Sequence, residues 1–249
     1  MVTLAYGNII LKGFMMEKYV RYIIILIAFM QTNIMIPLKE LKQQSKIAII
    51  SLYDPNYQHI GKFSDENKEQ YARKHGYDLF LYDERLDASR PAAWSKILAI
   101  LNHLKDYKWI YWSDADSLVM NMTIKLEKFI DDRFDMIISK EAAFGVLNTG
   151  SFLIKNCAWS EKLLKRVYEQ TEFIHHQWWE QAALAELFKK DPTLLTHVKI
   201  LPQRLLNSNI VYGKWPAGIF RDGDFVIHFY GPCDKESFMK EWSQRVKYN

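Results

Sequence analysis

Apolar positions along this chain follow two rhythms. Short unbroken apolar runs alternate with segments in which apolar residues recur every three or four positions. Lys46–Tyr53 is a continuous apolar run of the kind that fills a strand buried on both faces, and Asp54-Pro55-Asn56 ends it with turn chemistry. Ser64, with Asp65 and Glu66 behind it, predicts a capped helix over 66–75 that stops at Gly76. Tyr77–Tyr82 predicts the next strand and completes a β-α-β unit. Pro91 opens a helix over 92–104, with Trp94, Ile97, Leu98 and Leu101 at helical spacing. Trp109–Trp112 predicts a short buried strand. A short helix or loop follows at 126–130, then a strand at 135–139 and a glycine-bearing strand entry at Gly150. Ser160 predicts the cap of a helix over 161–171, and Glu180 and Gln181 open another that runs to Lys189. Strands at 198–201 and 224–231 flank an irregular loop, 207–223, and a closing amphipathic helix takes 236–248. Strands alternating with helices make a single α/β domain, with a central mostly parallel sheet flanked by helices on both faces.

The length, 249 residues, suffices for one such domain. A hydrophobic share of 49% and a charged share of 25% are those of an ordinary globular chain. The net charge of +4 comes without a long basic stripe interleaved with aromatics. Nucleic acid is therefore not an expected partner, while an anionic small substrate is compatible with the excess. Eight tryptophans offer either core filling or platforms for sugar rings. The two cysteines, Cys157 and Cys233, are too few for a disulfide framework, although one bridge between them is conceivable in an oxidising compartment.

Before the first core strand, Tyr22–Leu38 is mostly apolar, preceded by Lys12, Lys18 and Arg21. It is laid out like a signal anchor or the apolar region of a signal peptide, but Gln31-Thr32-Asn33 interrupts it and it falls short of the roughly 20 residues of a full span. A helix or strand packed on the domain is the other reading. Residues 1–45 thus form a hydrophobic segment and linker, and 46–249 the domain proper. Membrane association through this segment is the expectation, against a soluble cytoplasmic protein as the alternative.

The chemistry centres on Trp109-Ile-Tyr-Trp-Ser-Asp-Ala-Asp116. A hydrophobic strand delivers Asp114 and Asp116 to its C-terminal end, where open α/β sheets bind ligands. In extended chain, positions i and i+2 share a face. The two acids then repel unless a cation sits between them, and a hard divalent ion suits the oxygen donors. A polar turn after a core strand accounts for the same letters.

This run resembles the D-x-D region of glycosyltransferases of the GT-A fold. Asn148-Thr-Gly-Ser-Phe152 with the following Asn156 and Trp159-Ser160, and Glu180-Gln-Ala-Ala-Leu184, are similar to segments of the galactosyl, mannosyl and xylosyl transferases of family 34. The resemblance spans roughly Lys46–Lys240. It implies a GT-A (Rossmann-like) domain that moves galactose, mannose or xylose from a nucleoside diphosphate sugar to a glycan hydroxyl, with Mn²⁺ or Mg²⁺ and retention of configuration. It implies Asp116 and His228, in the H-x-x-G segment ending at Gly231, as direct metal ligands, Asp114 as a ligand to the metal or its water or as a ribose contact, and Gln181 beneath the anomeric carbon with Glu180 as its helper. Lys96 would face the donor phosphates, and Lys235 stands near, but out of register with, a phosphate-binding lysine of related enzymes. Tyr53 and Asp54 are candidates for the base or ribose. Asn148, Thr149 and Ser151 offer amide and hydroxyl groups to sugar oxygens, Gly150 permits close approach, and Trp178 or Trp179 offers a stacking surface, with core packing expected for at least one of the two. A Golgi-type single-pass topology would follow in a eukaryotic secretory pathway. A metal-dependent nucleotidyl or phosphoryl transferase and a silent carbohydrate-binding module are the alternatives. Asn121-Met-Thr123 is a glycosylation sequon, expected at the edge of the site and shielded from modification.

Overall fold

The computed structural model describes residues 47–210, 216–231 and 234–248. The N-terminal hydrophobic segment and Cys233, and with it the conceivable bridge to Cys157, lie outside the described residues. Among the described residues, no helix is long and apolar enough to cross a membrane.

The strands are β1 (Ile47–Leu52), β2 (Asp78–Tyr82), β3 (Trp109–Ser113), β4 (Ser117–Val119), β5 (Met136–Lys140), β6 (Leu147–Lys155), β7 (Val198–Pro202) and β8 (Val226–His228). The helices are α1 (Gln58–His75), α2 (Ser95–Leu104), α3 (Ala158–Tyr168), α4 (Trp179–Lys190), α5 (Gln203–Leu206) and α6 (Lys235–Ser243). Six strands form one sheet in the order β2-β1-β3-β6-β5-β7. β1 runs parallel to β2 and β3, β5 runs parallel to β7, and β6 runs antiparallel to both its neighbours. The connections explain the directions. Helical crossovers α1 and α2 bring β2 and β3 back parallel, while the short loop 141–146 can only join β5 to an antiparallel partner.

Successive side chains of the central strands serve opposite faces. Ala48, Ile50, Ile110 and Trp112 pack under α2 and α3 with Trp94, Ile97 and Leu163. Ile47, Ile49, Trp109 and Tyr111 pack against Tyr71, Leu118 and Phe225 on the other side. Burial of each large aliphatic side chain contributes about 1.5–3 kcal/mol, so β1, buried along all six residues, anchors both layers.

Helix starts differ from the sequence pattern. α1 begins at Gln58 behind a 3-10 turn, Pro55–Tyr57, that Asp54 caps by accepting from the Asn56 amide at 3.1 Å. Gly61 obscures this turn of helix in the sequence, yet it is needed there, because a Cβ would lie 2.3 Å from the Tyr53 ring. Ser64 is therefore a buried helix residue rather than a cap. Likewise Cys157 precedes α3, and Ser160 is buried within it. The last helix ends at Ser243, short of the expected 248. Gly76 stops α1 as expected, in the left-handed region at φ 72°.

A polar row along α1 holds the chain between Asp114 and Ile124. The Asn67 amide both accepts from Val119 N (2.7 Å) and donates to Val119 O (2.9 Å), standing in for a neighbouring strand. The ammonium of Lys68 is fully buried and donates to the carbonyls of Asp114 (3.0 Å) and Ser117 (3.2 Å) and to Ser64 Oγ. Burial pushes its pKa down to about 8, against the pull of Asp65, Asp114 and Asp116. Tyr71 donates to Ile124 O at 2.7 Å, and His75 to Met122 O at 2.8 Å. Lys68→Met removes a buried donor from two carbonyls, leaving Asp114 O with Ser117 N and Oγ and Ser117 O with Ser64 Oγ, so urea denaturation should show a loss of about 1–3 kcal/mol. Lys62→Met, on the exposed side of the same helix, should stay within about 0.5 kcal/mol of the parent.

Candidate active site

A second, two-stranded sheet builds the site. β4 pairs antiparallel with β8 in the register Ser117↔His228, and Phe229 N donates to Asp116 O at 2.8 Å. This pairing sets His228 beside two acids more than a hundred residues earlier in the chain. Asp114, Asp116 and His228 each offer a ligand atom, all within 4.8 Å of one another. His228 Nε2 lies 3.0 Å from Asp116 Oδ1 and 3.7 Å from Asp114 Oδ2. Its Nδ1 donates to Asn207 Oδ1 at 2.9 Å, which turns Nε2 toward the acids and is the arrangement of a histidine ligand oriented through its far nitrogen. Two carboxylates and an imidazole suit Mn²⁺ or Mg²⁺.

Asp116 is buried, which works against its charge. Beside His228 and Lys235, whose Nζ is 2.6 Å from Oδ2, its carboxyl nonetheless sits far below the usual carboxylate range. Tyr57 approaches the same oxygen at 3.4 Å. Asp114 is more open, and accepts from Trp112 Nε1 at 2.6 Å and from Lys96 at 3.1 Å.

The candidate residues read from the sequence line one cavity of about 860 Å³, except Ser151, which is fully buried with its hydroxyl 2.8 Å from that of Tyr111. Tyr53 and Asp54 come from the end of β1, Lys96 from α2, and Asp114 and Asp116 from the turn after β3. Asn148, Thr149 and Gly150 come from β6, Trp179, Glu180 and Gln181 from the start of α4, and His228, Gly231 and Lys235 from the β8–α6 region. The cavity opens at the C-terminal ends of β1 and β3, as in other open α/β sheets.

The geometry revises several expectations. Lys96 is buried, and its three donors go to Glu180 Oε1 (2.6 Å), the Thr149 carbonyl (3.0 Å) and Asp114 (3.1 Å). It has none left for a phosphate. Burial opposes its charge, yet Asp114 and Glu180 together hold its pKa above the usual lysine value. Lys235, with a fifth of its side chain exposed and engaged with Asp116, is the more exposed of the two cavity lysines despite its register. The Tyr53 hydroxyl is committed to Asp65 at 2.7 Å, so only its ring and backbone face the cavity. Trp178 and Trp179 are 45% and 41% exposed, and neither fills the core. Trp179 has φ 41°, the one positive value outside glycine among the described residues. Asn121 does not line the cavity; it lies past β4, where its amide meets Gly223 O and the Thr123 hydroxyl.

Sequence reading missed Lys68, Tyr57, Glu141, Asn207 and Tyr230. Lys68 had one signal, its i+4 spacing from Ser64 on a helix face that also carries Asn67. Gly150 proves more constrained than its sequence suggested. A Cβ there would lie 2.1 Å from His228 Cε1. Its carbonyl accepts from Asp114 N at 2.8 Å, and its N–H donates to Asn148 Oδ1 at 2.8 Å.

The mixed sheet with its D-x-D turn and facing histidine is the GT-A fold of glycosyltransferases. A glycosyltransferase involved in glycosylation of the PBCV-1 major capsid superposes with a TM-score of 0.65 at 19% identity, over 79% of this chain and 99% of that one. The galactosyltransferase LgtC, solved with donor and acceptor sugar analogues, gives 0.50 at 14% identity, over 81% and 97%. The chain belongs to the galactosyl transferase GMA12/MNN10 family, whose model matches residues 43–142 and 130–239. Relatives include the probable alpha-1,6-mannosyltransferase MNN10 of Saccharomyces cerevisiae, 29% identical over 69% of this chain. An alpha-1,2-galactosyltransferase of Schizosaccharomyces pombe is 25% identical over 67% of it. The chain spans about half the length of these relatives, 55% and 54%.

Gly150→Ala should drive the His228 ring from its place. We expect Mn²⁺ affinity, measured by calorimetry with a nucleoside diphosphate present, to fall at least tenfold (about 1.4 kcal/mol), while the fold persists by circular dichroism. Unchanged affinity would show that the contact yields without cost.

Proposed function

We propose that this chain is a metal-dependent, retaining glycosyltransferase that moves a hexosyl or pentosyl group from a nucleoside diphosphate sugar to a glycan hydroxyl. The observation that carries the reading is the convergence of Asp114, Asp116 and His228 on one wall of the cavity at the strand ends. Family membership supports the sugar-transfer chemistry. Mn²⁺ or Mg²⁺ held by these three residues would act as a Lewis acid and template for the diphosphate.

The chain's own groups take the remaining roles. Lys235 gives up its contact with Asp116 and places its charge on the leaving phosphate. Lys96 acts as a positioning residue that fixes Glu180 and Asp114; removing one partner of such a buried pair costs about 3–5 kcal/mol. Gln181, whose Oε1 accepts from Thr149 N at 3.0 Å, faces the anomeric carbon as a neutral amide. In the transfer, the C1–O bond to the diphosphate breaks and its electron pair leaves on the phosphate oxygen. The acceptor hydroxyl oxygen forms the new bond to C1, and its proton passes to the departing phosphate. The exposed Trp178 and Trp179 present aromatic faces to the acceptor at the mouth. Residues 1–45 serve as a membrane-anchoring segment and linker.

The test is a panel of nucleoside diphosphate sugars screened by thermal shift with and without Mn²⁺, followed by transfer assays on oligosaccharides. At a hundredfold excess over Kd, a bound donor stabilises by about 2.7 kcal/mol. That raises the melting temperature of a chain this size by about 5–10 °C, and only with Mn²⁺. Asp116→Ala should abolish both the shift and transfer while the apo melting point stays measurable. His228→Ala should raise the Mn²⁺ concentration needed for activity. Nucleotide turnover that ignores any sugar acceptor would favour a nucleotidyl or phosphoryl transferase instead.

A further inference from the structure

Beyond the metal wall, the cavity holds a buried carboxylate that none of the roles above uses. Glu141 follows β5 and is 5% exposed. Its backbone is pinned at both ends of a tight loop: its N–H donates to Val146 O at 2.8 Å, and its carbonyl accepts from Gly145 N at 2.9 Å. Its Oε1 accepts from Asn148 Nδ2 at 2.5 Å, whereas Oε2 makes no hydrogen bond among the described residues, and the residue lines the cavity.

Tyr230 lies close by. Gln203 is fixed in orientation because its Oε1 accepts from Ala142 N, so its Nε2 donates to the Tyr230 oxygen at 2.9 Å. Asn209 Nδ2 donates to the same oxygen at 2.6 Å. Both phenol lone pairs are then taken, and among the described residues its own proton has no hydrogen-bond partner. A phenol keeps its proton at neutral pH. A free donor and a free acceptor thus line one stretch of wall. A sugar hydroxyl, which donates and accepts at once, is the ligand that satisfies both.

Both groups flank the metal histidine. Tyr230 packs edge-on against His228, with centroids 5.0 Å apart. Glu141 reaches it through Asn148, whose Oδ1 holds the N–H of Gly150, the residue against the His228 ring. In a nucleoside diphosphate sugar the ribose lies on one side of the diphosphate and the transferred sugar on the other. Tyr53 and Asp54, the candidates for the base or ribose, stand at the end of β1, whereas Glu141 and Tyr230 line the cavity with Asn148 on the β5–β6 side of the sheet. We propose that Glu141 and Tyr230 form the subsite that holds a hydroxyl of the transferred sugar and so select the donor. This rests on reading the cavity as a nucleotide-sugar site.

The experiment compares two affinities in Mn²⁺ by calorimetry: a nucleoside diphosphate alone, and the matching nucleoside diphosphate sugar identified by the panel. Their ratio in the parent protein is the baseline. Glu141→Gln keeps the contact to Asn148 but puts a donor where the free acceptor stood. Tyr230→Phe removes the free proton. Each should shift the ratio against the sugar about tenfold and leave binding of the diphosphate alone within twofold. A parent that binds no nucleoside diphosphate overturns the reading of the cavity and the subsite with it. A parent that binds it, with both variants keeping the parental ratio, overturns the subsite alone. So does a raised KM for the glycan acceptor with an unchanged ratio, which would give these residues to the acceptor.

Discussion

The short pairing of β4 with β8 is the constraint on which the site depends. It consists of three residue pairs, Ser117↔His228, Leu118↔Ile227 and Val119↔Val226, and its register decides which side chains meet. A slip of one residue would turn every side chain of the pair to the other face, and His228 would leave the acids. So small a sheet is marginal alone. α1 supplies the missing support through Asn67 and Lys68, which hydrogen-bond the β4 backbone and the turn before it. Leu118, Val119, Val226 and Ile227, all buried at 1% exposure or less, add the apolar share.

Charge is arranged in the same layered way. Asp114, Asp116 and Glu180 bring three acids into one cavity wall, and Lys96, Lys235 and the buried Lys68 answer them. The three lysines differ in freedom. Lys68 and Lys96 are enclosed and saturated, so they fix geometry. Lys235 keeps some exposure and, among the described residues, is engaged with Asp116 and the face of Tyr57, so its ammonium is the least tied of the three. Lysine type says nothing of this distinction; burial and donor count decide it.

Much of the frame was legible because buried strands announce themselves. The runs at Ile47–Leu52 and Trp109–Ser113 are apolar on both faces, and both are central strands. The acids after β3 and the histidine ending β8 were legible as strand-end chemistry. What stayed hidden was hidden for physical reasons. The helix start at Gln58 went unread; Gly61, a weak helix former, stands there because a Cβ would meet the Tyr53 ring. The caps at Ser64 and Ser160 misled, because a buried serine and a capping serine have the same letter. Glu141 and Tyr230 carry no local signature; the topology that sets β5 and β8 around β6 and the His228 turn brings them together. The pair Trp178–Trp179 shows the converse: core packing was expected of at least one, and both are exposed and line the cavity.

The most direct test of the account is anomalous scattering from crystals grown with Mn²⁺ and a nucleoside diphosphate. The account predicts one manganese peak within bonding distance of Asp116 and His228 and in reach of Asp114, with Lys235 released from Asp116 onto the diphosphate. A peak elsewhere, or diphosphate bound in the cavity with Lys235 still on Asp116 and no manganese between the acids and His228, would contradict it.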